Sequence, residues 1–358
     1  MIPLDNLKTF HQYDESDLYS SLTKMGRQVD SGWTAAKFES LGFESDQIHQ
    51  VVLAGMGASN LAGHLIHSLA PFLLAVPFEI VDNYRLPAYA GKNTLVILSS
   101  YSGDTEEILS CAQDAKMRGC FTLVLTAGGK LLDLAGTENM TVILLDKKLN
   151  PSGAPRAGLG LSLGALLGLF LRLNPSSQKY FNQKDIVHTI DRVIDMVSQG
   201  KNTSENPAKA LALKHKGLGV IIFSANHLSA VGKTGANFLN ETAKTMSVNF
   251  NFPDLNHHLL EGFSFPLGFK DQFNVLILNS TLYPEIIQKR ISLTRDILLQ
   301  QKYRVTVIKP ETTDAVCQVF ESLVFLIMFS YYLSIANKVN PAPNPWVDYL
   351  KKHLSSST

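Results

Sequence analysis

The chain has 358 residues, a formal net charge of +1, and a composition that is 45% hydrophobic and 18% charged. That length exceeds a usual single core and suggests two, while the even charge leaves no basic stripe for nucleic acid or an anionic membrane surface. The three cysteines, Cys111, Cys120 and Cys317, are odd in number and lack metal-ligand spacing, so disulfides are not expected and a reducing compartment, the cytoplasm, is favoured.

In chain order, Met1 to Asp17 is polar and acidic, without the basic-then-apolar pattern of a signal peptide. Residues 1–50 read as an N-terminal helical segment. From Val51 to Asp146 five apolar runs, Val51–Ala54, Phe78–Val81, Thr94–Leu98, Phe121–Leu125 and Thr141–Leu145, alternate with helical stretches. Helices between parallel strands predict an α/β fold, a five-stranded doubly wound parallel sheet covered on both faces, over residues 51–150.

Residues 151–216 read as a helical linker. Its uncharged run Ala157–Leu171 is shorter than the roughly 20 residues a membrane span needs, and is better read as a buried helix. Helices are predicted near Lys184–Gln199 and Asn206–Lys216. The pattern then returns over residues 217–310. Strands are expected at Leu218–Ser224, Thr245–Phe250, Phe273–Ser280 and Tyr303–Ile308, with helices at Ser229–Lys244 and Tyr283–Gln301, which makes a second doubly wound sheet. A long apolar helix, Thr312–Ile335, and a proline-punctuated tail complete residues 311–358.

The turn Leu98-Ser99-Ser100-Tyr101-Ser102-Gly103-Asp104-Thr105 joins a buried strand to a helix through a cluster of hydroxyls. Backbone N–H groups and the positive end of the helix dipole gather there, and Ser100, Ser102 and Thr105 add uncharged donors. Ser, Gly and Asp are also ordinary helix-capping residues, so Ser102 or Asp104 could simply cap the helix. Against that reading, Gly55-Met56-Gly57-Ala58-Ser59 repeats the design one strand earlier. Two such turns at adjacent strand ends describe one phosphate pocket at the carboxyl edge of a parallel sheet. A dinucleotide fingerprint fits poorly, because Asn60 stands where the third glycine belongs.

Chemistry on a phosphorylated sugar needs a base and a cation near the developing oxyanion. Glu241 falls near the end of a predicted helix, where the alternative is a solvated carboxylate. His257 falls at a loop-to-helix junction, where the alternative is a capping or packing role. Arg156 opens a buried apolar helix with a charge, which is costly unless it meets an anion. The histidines include no pair spaced to ligate a metal from one helical face, and His257 and His258, as neighbours, point apart. Neither a metal nor a cofactor is expected.

Taken together, Gly55–Ser59, Ser100–Thr105, Pro155-Arg156, Asn240-Glu241-Thr242-Ala243-Lys244, Leu255-Asn256-His257 and Leu350-Lys351 resemble, in order, the bifunctional phosphoglucose/phosphomannose isomerases, built from two sugar isomerase (SIS) domains. The resemblance implies an aldose–ketose isomerase that interconverts glucose 6-phosphate, with mannose 6-phosphate as a further aldose, and fructose 6-phosphate through a cis-enediol. It implies a phosphate cradle of Gly57, Ala58, Ser59, Ser100, Ser102 and Thr105. Glu241 would be the base, and Arg156 would stabilise charge on the intermediate. His257 and Lys351, or its neighbour Lys352, would serve ring opening, with His257 donated across a homodimer. The chain departs from the family pattern at Ala58, Thr242, Leu259, Asn340 and Ala342. A non-catalytic sugar-phosphate-binding SIS protein, or an SIS isomerase for another phosphosugar, shares the cradle and stays open at the level of sequence.

Overall fold

The computed structural model describes residues 3–37 and 41–355. Strands β1 (Gln50–Gly55), β2 (Phe78–Val81), β3 (Thr94–Ser100), β4 (Phe121–Thr126) and β5 (Thr141–Leu144) form a parallel sheet in the order β2-β1-β3-β4-β5. Strands β6 (Gly219–Ser224), β7 (Ser247–Asn251), β8 (Phe273–Leu278) and β9 (Val305–Ile308) form a second, also parallel, in the order β7-β6-β8-β9.

Numbering only helices longer than one turn, the chain contributes α1 (Leu7–Tyr13), α2 (Leu18–Leu22), α3 (Met25–Ala35), α4 (Ala58–Ser68), α5 (Glu106–Met117), α6 (Lys130–Thr137), α7 (Leu159–Leu173), α8 (Gln183–Met196), α9 (Pro207–His215), α10 (Ser229–Glu241), α11 (Glu285–Gln300), α12 (Ala315–Ala336) and α13 (Pro345–Ser355). Side chains alternate across the first sheet, as the two-residue period of a strand requires. Leu53, Leu95, Ile97, Leu123 and Leu125 join the large core with α3, α4 and α7. Val52, Ala54, Val96, Leu98 and Val124 join a separate core under α5 and α6. With both faces buried, the strands must be apolar throughout.

Among the described residues, two apolar helices are long enough to cross a membrane, Pro155–Leu173 and Ala315–Ala336, and their most apolar stretches are 83% and 89% buried inside the protein. Their hydrophobicity serves the interior. The glycines of α7 allow it to lie backbone to backbone on α3: a β-carbon on Gly164 would fall 2.0 Å from the Val29 carbonyl oxygen, and one on Gly32 would fall 2.0 Å from that of Leu161. The two halves meet where α4 packs on α10, and there Lys233 Nζ lies 2.6 Å from His64 Nε2.

Several boundaries differ from the sequence reading by one to three residues, and two have a plain backbone cause. Helix α10 stops at Glu241 rather than Lys244, because Lys244 takes a left-handed φ of 52° and the Thr245 N–H turns back to the Leu239 carbonyl. Helix α11 starts at Glu285, after Pro284 in extended conformation.

Candidate active site

The first sheet reverses its strand order between β1 and β3, whose register pairs Gly55 with Ser99. The two turns leaving these strands therefore lie side by side at the carboxyl edge. After β1, Gly57 takes φ 53°, and Ala58 opens α4 with the donor-rich first turn of a helix. Buried Ser59 accepts the Tyr101 N–H through its Oγ at 3.2 Å, tying one turn to the other. After β3, Ser100 Oγ lies 2.7 Å from Thr105 Oγ1 and accepts the Gly103 N–H at 3.1 Å. Ser102, which accepts the Asp104 N–H at 3.3 Å, is exposed.

The turn can fold this tightly because of Gly103. Its φ is 79°, and a β-carbon there would fall 1.7 Å from the Gly128 carbonyl oxygen. The capping alternative resolves in detail. Asp104 does cap a helix, but a different one: its Oδ1 accepts the Lys130 N–H of α6 at 3.1 Å. Thr105 occupies the N-cap of α5 without a side-chain capping bond, and its hydroxyl goes to Ser100.

A second cluster adjoins this turn. The Tyr101 ring lies 2.7 Å from where a β-carbon on Gly158 would be, and its hydroxyl accepts a hydrogen bond from Asn150 Nδ2 at 3.0 Å. Gly158 ends the short Pro155–Gly158 turn that carries Arg156. Arg156 is 3% exposed, and its donors are used in full view of the second half. Nε donates to Thr242 Oγ1 at 3.0 Å, Nη2 to the carbonyls of Pro341 and Ala342 at 2.5 and 2.8 Å, and Nη1 approaches Glu241 Oε2 at 3.5 Å. Burial works against this guanidinium's charge, and Glu241 works for it.

The Glu241 carboxylate is about one-third exposed. Oε2 also accepts from Asn344 Nδ2 at 2.7 Å, while Oε1 takes no hydrogen bond among the described residues. Lys244 lies beside it, with Nζ on the carbonyls of Glu241 and, at 2.5 Å, Pro343. Desolvation, with help from Arg156, pushes that ammonium's pKa down to about 8 against the pull of Glu241.

The fold thus gathers Gly57, Ala58, Ser59, Ser100, Ser102 and Thr105 around one pair of turns, and joins Arg156 to Glu241 nearby. Among the described residues, neither His257 nor Lys351 makes a hydrogen bond or ion pair with them. His257 ends a short turn, Asp254–His257, and is exposed; the loop is anchored by Asn256, whose Nδ2 donates to Thr294 Oγ1 at 2.8 Å. Lys351 and Lys352 lie on α13, an exposed helix whose Trp346 is 81% accessible. Sequence reasoning missed Tyr101, Asn150, Thr242 and Asn344. The available signals were an aromatic set between two serines of the same turn and the dipeptides Asn150-Pro151 and Asn344-Pro345, which mark turns. Among the described residues, no group of three or more His, Cys, Asp or Glu side chains could hold a metal ion.

With that geometry in place, the chain can be compared with known proteins. Residues 204–354 match the bacterial phospho-glucose isomerase C-terminal SIS domain. A bifunctional phosphoglucose/phosphomannose isomerase from Caldicellulosiruptor bescii is 28% identical over 94% of this chain and 99% of its own length. One from Thermoplasma acidophilum is 26% identical over 87% of this chain and 92% of its own. The chain thus carries the match to this SIS domain over its C-terminal part and is similar over nearly its whole length to bifunctional phosphoglucose/phosphomannose isomerases. A solved hypothetical protein from Thermus thermophilus shares the fold of this SIS protein, with a TM-score of 0.75 at 16% identity, covering 98% of this chain and 92% of that one. The two-sheet architecture accounts for why the hydroxyl turns come from one half and the carboxylate from the other.

Proposed function

We propose that this protein is an aldose–ketose isomerase that interconverts glucose 6-phosphate and mannose 6-phosphate with fructose 6-phosphate. The observation that carries this reading is the Arg156–Glu241 pair beside a hydroxyl-lined turn, with one carboxylate oxygen left without a partner among the described residues. The phosphate is held by the N–H groups of Gly57 and Ala58 and the hydroxyls of Ser59, Ser100, Ser102 and Thr105. Glu241 Oε1 takes the proton from C2 and returns it to C1, or to either face of C2 for the two aldoses. Arg156, buried and fixed by four partners, stabilises the negative oxygen of the enediol. Such prepositioned charge needs little reorganisation as the reaction proceeds.

Ring opening requires a further acid and base, and His257 and Lys351 take these roles in a homodimer. Exposed His257 reaches the partner's site, and the apolar side chains of exposed α13, Trp346, Leu350 and Leu354, become buried between subunits. The unpaired thiols of Cys111, Cys120 and Cys317 suit the reducing cytoplasm.

Metal-free protein should convert fructose 6-phosphate to aldose in a coupled assay, and no turnover at high enzyme concentration with intact fold would overturn the reading. The shared site is tested by mixing two inactive chains, His257→Ala and Glu241→Gln. Reassembled mixed dimers should regain activity at one of their two sites. Silence from mixed dimers detected by native mass spectrometry would place His257 within its own chain or outside the reaction.

A further inference from the structure

After α12 the chain returns across the end of α10 as a strap, Pro341 to Asn344, pinned at each step. Arg156 holds the carbonyls of Pro341 and Ala342, Lys244 holds that of Pro343, and Asn344 reaches Glu241. The Asn344 amide has only one self-consistent orientation. Its Oδ1 lies 3.3 Å from Lys244 Nζ, an ammonium that can only donate. Its Nδ2 therefore faces Glu241 Oε2, an acceptor when ionised, at 2.7 Å. That contact is much shorter than the 3.5 Å separating Arg156 from the same oxygen. The Asn344 carbonyl also accepts the Asp348 N–H at 3.0 Å, so the residue that touches Glu241 begins α13 as well.

We propose that Asn344 is a positioning residue for the isomerisation: its amide fixes the rotation of the Glu241 carboxylate, occupies Oε2, and leaves Oε1 aimed at the substrate carbon. This rests on Glu241 being the base. A freely turning carboxylate would present either oxygen and would also be drawn fully onto Arg156, the cation that the enediol oxygen needs. Holding one oxygen elsewhere keeps base and cation separately available. Asn344 touches no reacting atom and acts through Glu241 alone.

The test compares Asn344→Leu, which keeps the volume and loses the donor, with Asn344→Asp, which keeps the shape and exchanges the donor for a second carboxylate. In steady-state assays with fructose 6-phosphate at neutral pH, both should lower kcat roughly tenfold or more with KM changed less than twofold. With glucose 6-phosphate as substrate, exchange of the C2 hydrogen with solvent deuterium should slow by the same factor, since that proton is the one Glu241 moves. Melting temperatures near that of the parent would accompany the loss. Retention of kcat within twofold in Asn344→Leu, or a fall that appears equally in KM and melting temperature, would overturn the positioning role. Glu241→Gln is run alongside: if it keeps full activity, the underlying assignment of the base fails, and with it the role of Asn344.

Discussion

The turn after β1 and the turn after β6 are built on one plan and filled in opposite ways. Each follows the first strand of its sheet, which lies one in from an edge, each passes through a residue of positive φ, Gly57 at 53° and Asn226 at 46°, and each leads into a helix, α4 or α10. In the second half the space is taken by the protein's own groups. His227 is buried and pairs through Nε2 with Gln318 Oε1 at 3.0 Å; Ser280, beyond β8 as Ser100 is at the end of β3, donates to the same oxygen at 2.6 Å. Ser224 is met by Asn249 and Asn251, each at 2.8 Å. In the first half the corresponding surface keeps exposed Gly57 and Ser102. Topology alone does not make a phosphate site; what matters is whether the chain satisfies the turn by itself. A turn whose donors are already spent has nothing to offer a ligand.

The proposed function divides the labour accordingly, with anion binding in the first half and proton transfer in the second. Its sharpest test is Glu241→Gln, which should lower kcat by about 10⁴-fold while leaving KM within a few-fold, since an amide cannot accept the C2 proton. Preserved turnover in that variant would place the base in the first half and dissolve the distinction.

Acid should next loosen the second half and its seam with α4, where desolvation holds His64 at a pKa of about 4. His215, fully buried at the end of α9 with its ring edge-on to Phe329, is held by desolvation at a pKa of about 4. Between that value and the ordinary value near 6.5 the unfolded chain binds more protons. Stability therefore rises with pH across this window, and falls by about 3 kcal/mol as pH drops from 6.5 to 4. Urea titrations should show this loss, and His215→Met should flatten it; an unchanged slope in that variant would assign the acid sensitivity to other groups. Hydrogen exchange at pH 4.5 should accelerate first around α9 and β6.

Smaller effects distinguish the two turns directly. Ser100→Ala should raise KM by roughly ten- to hundredfold, the worth of one hydrogen bond to a charged phosphate at about 1.5–3 kcal/mol. Ser280→Ala, at the filled turn, should leave KM alone and cost about 1 kcal/mol of stability, seen in thermal melts. Equal KM effects from the two would mean that the second turn also meets substrate.

Much of the fold was open to reading because strand and helix signals are local. The runs Val51–Ala54, Thr94–Leu98 and Phe121–Leu125 fall within β1, β3 and β4, since strands buried on both faces must be continuous apolar segments. The hydroxyl turn was equally local, its donors clustered between Ser100 and Thr105. What stayed hidden depended on distant chain segments. Arg156 and Glu241 meet across 85 residues, and Asn344 and Glu241 across 103; no spacing rule reaches so far. The role of Asp104 was hidden for the same reason, as it caps a helix that begins at Lys130.

The strap also sets an order of events during synthesis. Both sheets are complete in the nascent chain once β9 has emerged, yet the buried guanidinium of Arg156 still lacks the two carbonyls it takes from Pro341 and Ala342. Of the four partners that hold this guanidinium, only Thr242 and Glu241 precede α12 in the chain. The contacts that seal the arginine and steady the carboxylate thus come from residues made after both sheets and α12, so the groups around Glu241 are completed by segments far apart in order of synthesis.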